Sequence, residues 1–115
     1  MDCIFCKIVA GQIPSNFVYQ DEDIIAFNDI APQTPYHILF ISRRHIPSMA
    51  DLAPEDGALL AKIFTAAKKV GDDLGLKQGY RFLTNVGVDG GQTVPHLHFH
   101  LLGGRKLGWP PYPPE

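Results

Sequence analysis

The sequence predicts an α+β domain: a mainly antiparallel sheet of about five strands, with one long helix on a face and a short helix at the N-terminus. Three observations carry this. Short β-prone runs are separated by turn residues; one stretch, from about Pro54 to Leu74, repeats apolar residues at helical spacing; and no repeat or linker divides the 115 residues. That length suits one domain and is too short for two. Folding at this size hides roughly two-thirds of the surface of the unfolded chain, which supports a core without disulfide staples.

Taken in order, Cys3 to Ala10 puts Ile4 and Ile8 on one helical face, and Gly11 is a C-terminal stop. Phe17-Val18-Tyr19 and Ile24-Ile25-Ala26-Phe27 flank Asp21-Glu22-Asp23, which reads as an antiparallel hairpin. Ala31-Pro32-Gln33-Thr34-Pro35 breaks the pattern. Tyr36 to Ser42 then contains Ile38-Leu39-Phe40-Ile41, a central buried strand. In the long helix Leu60, Ile63, Phe64, Ala67, Val70 and Leu74 keep helical spacing, with Pro54 near the start and Gly75 just past the end. The last two strands are expected at about Tyr80 to Val86 and His96 to Leu102, divided by Gly87-Val88-Asp89-Gly90-Gly91-Gln92. The proline-rich tail at about 107–115 is expected to lie extended, since proline lacks the donor and fixes φ.

With 45% hydrophobic and 19% charged residues, the composition excludes disordered and fibrous classes. Ten basic against twelve acidic side chains leave a formal charge of −2, so there is no electrostatic reason to expect nucleic acid or an anionic membrane as partner. No apolar stretch approaches the roughly 20 residues that cross a bilayer, and the first residues lack a basic flank before an apolar run. The expected location is cytoplasmic.

The strongest motif is His96-Leu97-His98-Phe99-His100-Leu101-Leu102. In a strand, alternate residues point the same way, so the three imidazoles share one face while Leu97, Phe99 and Leu101 enter the core. A lone histidine on a half-exposed strand is usually just solvated; three in register, among five in the chain, reverse that preference. Two histidines at this spacing can share a zinc ion, but His96 and His100 lie about 13 Å apart along an extended backbone. At least one imidazole therefore needs another task, and neutral imidazole is a nucleophile suited to phosphoryl or nucleotidyl transfer. Just upstream, Gly90-Gly91 is either an ordinary tight turn or, beside this row, a phosphate cradle to which Thr93 adds a hydroxyl. Cys3 and Cys6 are too close in sequence to staple a core, and suggest metal binding, redox chemistry or an incidental pair.

The run from Gly91 to Arg105, Gly-Gln-Thr-Val-Pro-His-Leu-His-Phe-His-Leu-Leu-Gly-Gly-Arg, resembles the signature of the histidine-triad (HIT) nucleotide-binding family in its Hint branch, of bacterial type. Similar segments occur at Cys3 to Ile8, Ala26 to Ile30, Tyr36 to Ile46, Gly79 to Val86 and Trp109-Pro110-Pro111, so the resemblance nearly spans the chain. It implies a HIT-like fold and a hydrolase cleaving purine nucleoside phosphoramidates or acyl nucleotides, similar to an adenosine 5′-monophosphoramidase. His98 would be the nucleophile and become nucleotidylated, with its second ring nitrogen donating to the His96 backbone. His100, Asn85, the Gly91 backbone and Thr93 would donate to the phosphate, and Thr93 would help protonate the leaving amine.

By the same resemblance Asp29 accepts from the ribose hydroxyls, while Ile4, Phe5, Ile8, Phe27 and Ile30 form the base slot. His37 supports the row from behind. A structural zinc would be held by Cys3, Cys6, His45 and His96, with no cofactor required for catalysis. The protein would be a homodimer, with Trp109 in the tail reaching toward the partner's site. Two other activities compete: dinucleoside polyphosphate hydrolysis, against which Trp109-Pro110-Pro111 argues, and a nucleotide-binding or scaffolding module with incidental catalysis. A pure metal-binding protein is a further alternative.

Overall fold

Acidic turn chemistry starts the sheet. The Asp21 carboxylate accepts from the N–H groups of Asp23 and Ile24 at 2.8 and 3.0 Å and from the Tyr19 hydroxyl at 2.8 Å, closing the hairpin between β1 (Phe17–Gln20) and β2 (Ile24–Asn28). The computed structural model describes residues 3–111. Its further elements are α1 (Ile4–Val9), β3 (Tyr36–Ser42), two 3₁₀ turns at Met49–Asp51 and Pro54–Asp56, α2 (Gly57–Asp73), β4 (Tyr80–Leu83) and β5 (His98–Gly103). All pairings are antiparallel, in the order β1-β2-β3-β5-β4. No helix of the described residues is long and apolar enough to cross a membrane.

The unbroken apolar runs in β2 and β3 follow from burial on both faces. Ile24, Ala26, Ile38 and Phe40 meet Ile63, Ala66, Ala67 and Val70 of α2, together with Leu97, Phe99 and Leu101. Ile25, Phe27, Leu39 and Ile41 face the other way, onto Cys3, Phe5 and Ile8 of the N-terminal segment. That second, thinner layer is where the histidines emerge. Helix α2 can lie close to β4 because residue 71 is glycine: a Cβ there would sit 2.7 Å from the Tyr80 ring. Gly75 ends the helix at φ 71°, a left-handed conformation that glycine takes without cost.

The strand boundaries differ from expectation on both sides of the loop between β4 and β5. β4 stops at Leu83, where the Thr84 hydroxyl takes over by donating to the His98 carbonyl at 2.6 Å. β5 begins only at His98. Pro95 has no N–H for a ladder, the His96 N–H turns back to the Val94 carbonyl at 2.8 Å, and the Leu97 N–H goes to Ile46 at 2.6 Å. The alternation survives the break: Leu97, Phe99 and Leu101 enter the α2 core, and the histidines stay on the α1 side. The described part of the tail is not fully extended. It bends at Trp109–Pro111, held by Arg81, whose guanidinium donates to the Gly108 carbonyl at 2.8 Å and lies 5.9 Å from the Trp109 ring centroid. The rest of the expected tail, from Tyr112 on, lies outside the described residues.

Candidate active site

A row of paired residues crosses the sheet: Phe27 opposite Leu39, Leu39 opposite His100, His100 opposite Leu83. One step along, Ile41 faces His98. Two backbone groups then fix the protons on these rings. The Gln33 N–H donates to His37 Nδ1 at 3.0 Å, so the His37 proton sits on Nε2, 2.9 Å from His100 Nδ1. His100 Nδ1 accepts it, and the His100 proton is left on Nε2. That Nε2–H is buried with no hydrogen-bond partner among the described residues, a cost of about 1–3 kcal/mol if nothing engages it. His98 has the opposite arrangement. Its Nδ1–H donates to the His96 carbonyl at 2.6 Å, which leaves the Nε2 lone pair free.

Burial keeps these rings neutral. It lowers the pKa of His98 despite the bond to His96. His100 is lowered by burial and by the neighbouring His98 and His37 to about 4, and His37 is lowered by burial in spite of Asp29. A neutral imidazole with a free lone pair and a neutral donor 5.1 Å away, ring centre to ring centre, therefore share one site.

Both rings open into a cleft of about 250 Å³, which also brings together Ile4, Phe5, Ile8, Phe27, Asp29, Ile30 and Thr93. Phe5 packs edge-on against His98, with ring centroids 5.0 Å apart. Asp29 holds the loop after β2 by accepting from the Ala31 N–H at 2.8 Å, and its other oxygen lies 3.5 Å from His37 Nε2. Two residues expected at the phosphate end stand apart. Asn85 does not line the cleft, and the Gly91 N–H already donates to the Val88 carbonyl at 3.0 Å. Sequence reasoning missed Ile13, Pro14, Ser15, Leu39 and Val94 on the cleft wall. Leu39 was recoverable, because it shares the strand face of Ile41; Ile13 to Ser15 lie in irregular chain that has no period to read.

A family model described as "HIT domain" matches residues 10–107. The chain belongs to the HIT family. It is 46% identical over 110 residues to a HIT-like protein of Synechocystis, covering 96% of each chain. To the purine nucleoside phosphoramidase of Escherichia coli it is 45% identical over 108 residues, covering 93% of this chain and 91% of that one. A HIT family hydrolase of Legionella pneumophila superposes with a TM-score of 0.94 at 48% identity, over 96% of this chain and all of that one.

In this HIT protein the first histidine of the row, His96, belongs to a different cluster. His96 is wholly buried, and its Nε2–H donates to the Ser42 carbonyl at 2.6 Å. Its Nδ1 thereby faces Cys3 and Cys6, at 3.3 and 3.6 Å from the two sulfurs, while His45 Nδ1 lies 3.2 Å from Cys6 Sγ. A tetrahedral zinc with two thiolates and two imidazoles needs sulfur and nitrogen about 3.5 Å apart, so the four side chains fit one ion. The bond to the Ser42 carbonyl is of the kind that orients an imidazole for metal binding. Trp109 is largely exposed beside β4 and takes no part in the cleft of its own chain. A larger groove, about 620 Å³, runs along Gly75 to Gly79 and Gly104 to Lys106; it holds no histidine, cysteine or carboxylate.

Proposed function

We propose that the protein is a hydrolase that cleaves purine nucleoside 5′-phosphoramidates, or acyl nucleotides, through a covalent nucleotidyl-His98. The observation that carries this reading is the opposite proton placement on adjacent rings: a free lone pair on His98 Nε2 and an unengaged donor on His100 Nε2, both at the end of an apolar slot. His98 Nε2 attacks the α-phosphorus, the P–N bond breaks, and the amine leaves with a proton relayed from the Thr93 side. Water then attacks the same phosphorus, releasing the nucleoside monophosphate and returning the electron pair to Nε2, and the proton that water gives up replaces the one passed to the amine. The His98 Nδ1–H, tied to the His96 carbonyl, steadies the imidazolium character that develops as the bond forms. The His100 Nε2–H meets the non-bridging oxygens, where loss of one donor costs roughly 3 kcal/mol. Loop movement that frees the Gly91 N–H from Val88 would add another donor.

The base lies among Ile4, Phe5, Ile8, Phe27 and Ile30, and the free acceptor capacity of Asp29 suits a ribose diol. The named activity of the Escherichia coli relative supports P–N bonds and purines. Cys3, Cys6, His45 and His96 would hold a structural zinc that braces α1, with no open position for catalysis. A homodimer is favoured by the exposed Phe64 on α2 and Tyr80 on the edge strand β4. The deciding experiment mixes the protein with adenosine 5′-phosphoramidate, quenches in acid-free conditions and maps adducts by mass spectrometry. One AMP moiety on the peptide carrying His98, absent in His98→Ala, supports the reading; steady turnover in His98→Ala sinks it.

A further inference from the structure

The chain between β4 and β5, residues 84–97, contains no regular element, yet it carries Thr93 and Val94 to the cleft wall. One side chain does most of the fastening. Gln92 accepts the Gly87 N–H on Oε1 at 3.0 Å and donates from Nε2 to the carbonyls of Pro47 at 2.7 Å and Val94 at 2.9 Å. Its own N–H goes to the Gly87 carbonyl at 3.0 Å. Three separate stretches are thereby tied together: the start of the glycine turn, the segment after His45, and the residue two before His96. Glycines 87, 90 and 91 leave this turn with little stiffness of its own.

We propose that Gln92 is a positioning residue that sets Thr93 against the leaving group, acting through Thr93 and not by touching substrate. This rests on the hydrolase reading given above. Thr93 is the next residue along the chain, it is exposed, and its hydroxyl makes no hydrogen bond among the described residues, so its place at the cleft depends on how Gln92 and Val94 are held. A displacement of about 1 Å in such a group is enough for a large loss in rate. The groups that Gln92 binds lie near solvent, so water can engage them when the amide is removed, and the fold is expected to survive the change.

The test is a leaving-group comparison on the full-length protein. Gln92→Met keeps the length and removes all three bonds; Gln92→Glu keeps the acceptor but turns a carboxylate onto two carbonyl oxygens. Both variants are expected to lose about tenfold in kcat with adenosine 5′-phosphoramidate, whose amine needs a proton, while AMP affinity stays within about twofold of wild type. With adenosine 5′-(p-nitrophenyl) phosphate, whose phenolate leaves unprotonated, the loss should shrink to about twofold. In a Thr93→Ala background, adding Gln92→Met should cost little more. Equal losses with both substrates, full additivity with Thr93→Ala, or a parallel fall in AMP affinity each overturn the proposal. An inactive wild type overturns the hydrolase reading itself, whereas an active wild type matched by Gln92→Met overturns this role alone.

Discussion

His37 holds its Nε2–H 2.9 Å from His100 Nδ1, and a single backbone donor, the Gln33 N–H on His37 Nδ1, decides that the proton lies on that side. The tautomer of His100, which lines the cleft, is thus set from behind, through a buried residue that is not itself on the cleft wall. His37→Phe keeps the ring volume and removes the donor. His100 is then free to place its proton on Nδ1, and its Nε2 turns into an acceptor facing phosphate oxygens. We expect kcat for adenosine 5′-phosphoramidate to fall about 10- to 100-fold with a much smaller change in AMP affinity. Loss of the bond from the Gln33 N–H should also lower stability by about 1 kcal/mol, since Gln33 is exposed and water can take the donor, read from urea unfolding. An unchanged kcat removes His37 from the mechanism.

The buried imidazoles make stability fall with acid earlier than carboxylates alone would. His100 has a folded-state pKa of about 4 against 6.5 for the free group, chiefly through burial. Between those values the unfolded chain binds the proton and the folded chain does not, so stability is complete above about pH 6.5 and is lost as pH falls toward 4. The ideal difference is about 3 kcal/mol, and solvent at the cleft mouth reduces it to about 1–2. His37 shifts in the same direction. Asp21 and Asp56, lowered from 3.8, act only below this window. Urea midpoints at pH 7, 5.5 and 4.5 should decline for the wild type and decline less for His100→Asn; parallel lines for the two proteins contradict the assignment.

How far the chain could be read is clearest at β5. Alternation in His96 to Leu102 correctly divided core from site, because a period of two is a local property of extended backbone. The same rule extended the strand two residues too far, since the stop comes from Pro95 and from Leu97 bonding to distant Ile46. Helix α2 was legible for a similar reason, its apolar stripe being a local repeat. The proton placement on His37 and His100 was not legible: it depends on Gln33 and on two strands meeting in register. Nor was the fastening by Gln92, whose partners lie up to 45 residues away.

Metal content gives a prediction independent of activity. The sulfur and nitrogen spacings around Cys3, Cys6, His45 and His96 lead us to expect one zinc per chain by elemental analysis of protein purified without chelator. With free zinc at about 100 times its dissociation constant, the ion adds about 2.7 kcal/mol, so stripping it should lower Tm by about 10 °C. Cys6→Ser should lose the metal and show the same Tm with or without chelator. Protein that carries no zinc and melts identically after chelation argues for a plain reduced pair.

Ile30 offers the cleanest probe of the base slot, since it lines the cleft while its side chain is 99% exposed. A residue with almost no buried surface contributes little to folding, so Ile30→Ala should change stability by less than about 0.5 kcal/mol. A bound base would cover that side chain, and removing its outer carbons forfeits roughly 1 kcal/mol of apolar burial. We therefore expect AMP to bind about fivefold more weakly to Ile30→Ala, measured by calorimetry, with KM rising in step and kcat little changed, because the contact exists equally before and during bond breaking. Phe27→Ala, by contrast, removes a ring that is 4% exposed and packed on Phe5, and should lose both stability and affinity. If Ile30→Ala binds AMP as tightly as wild type, the base does not lie against Ile30, and the slot must be sought deeper, between Phe5 and Leu39.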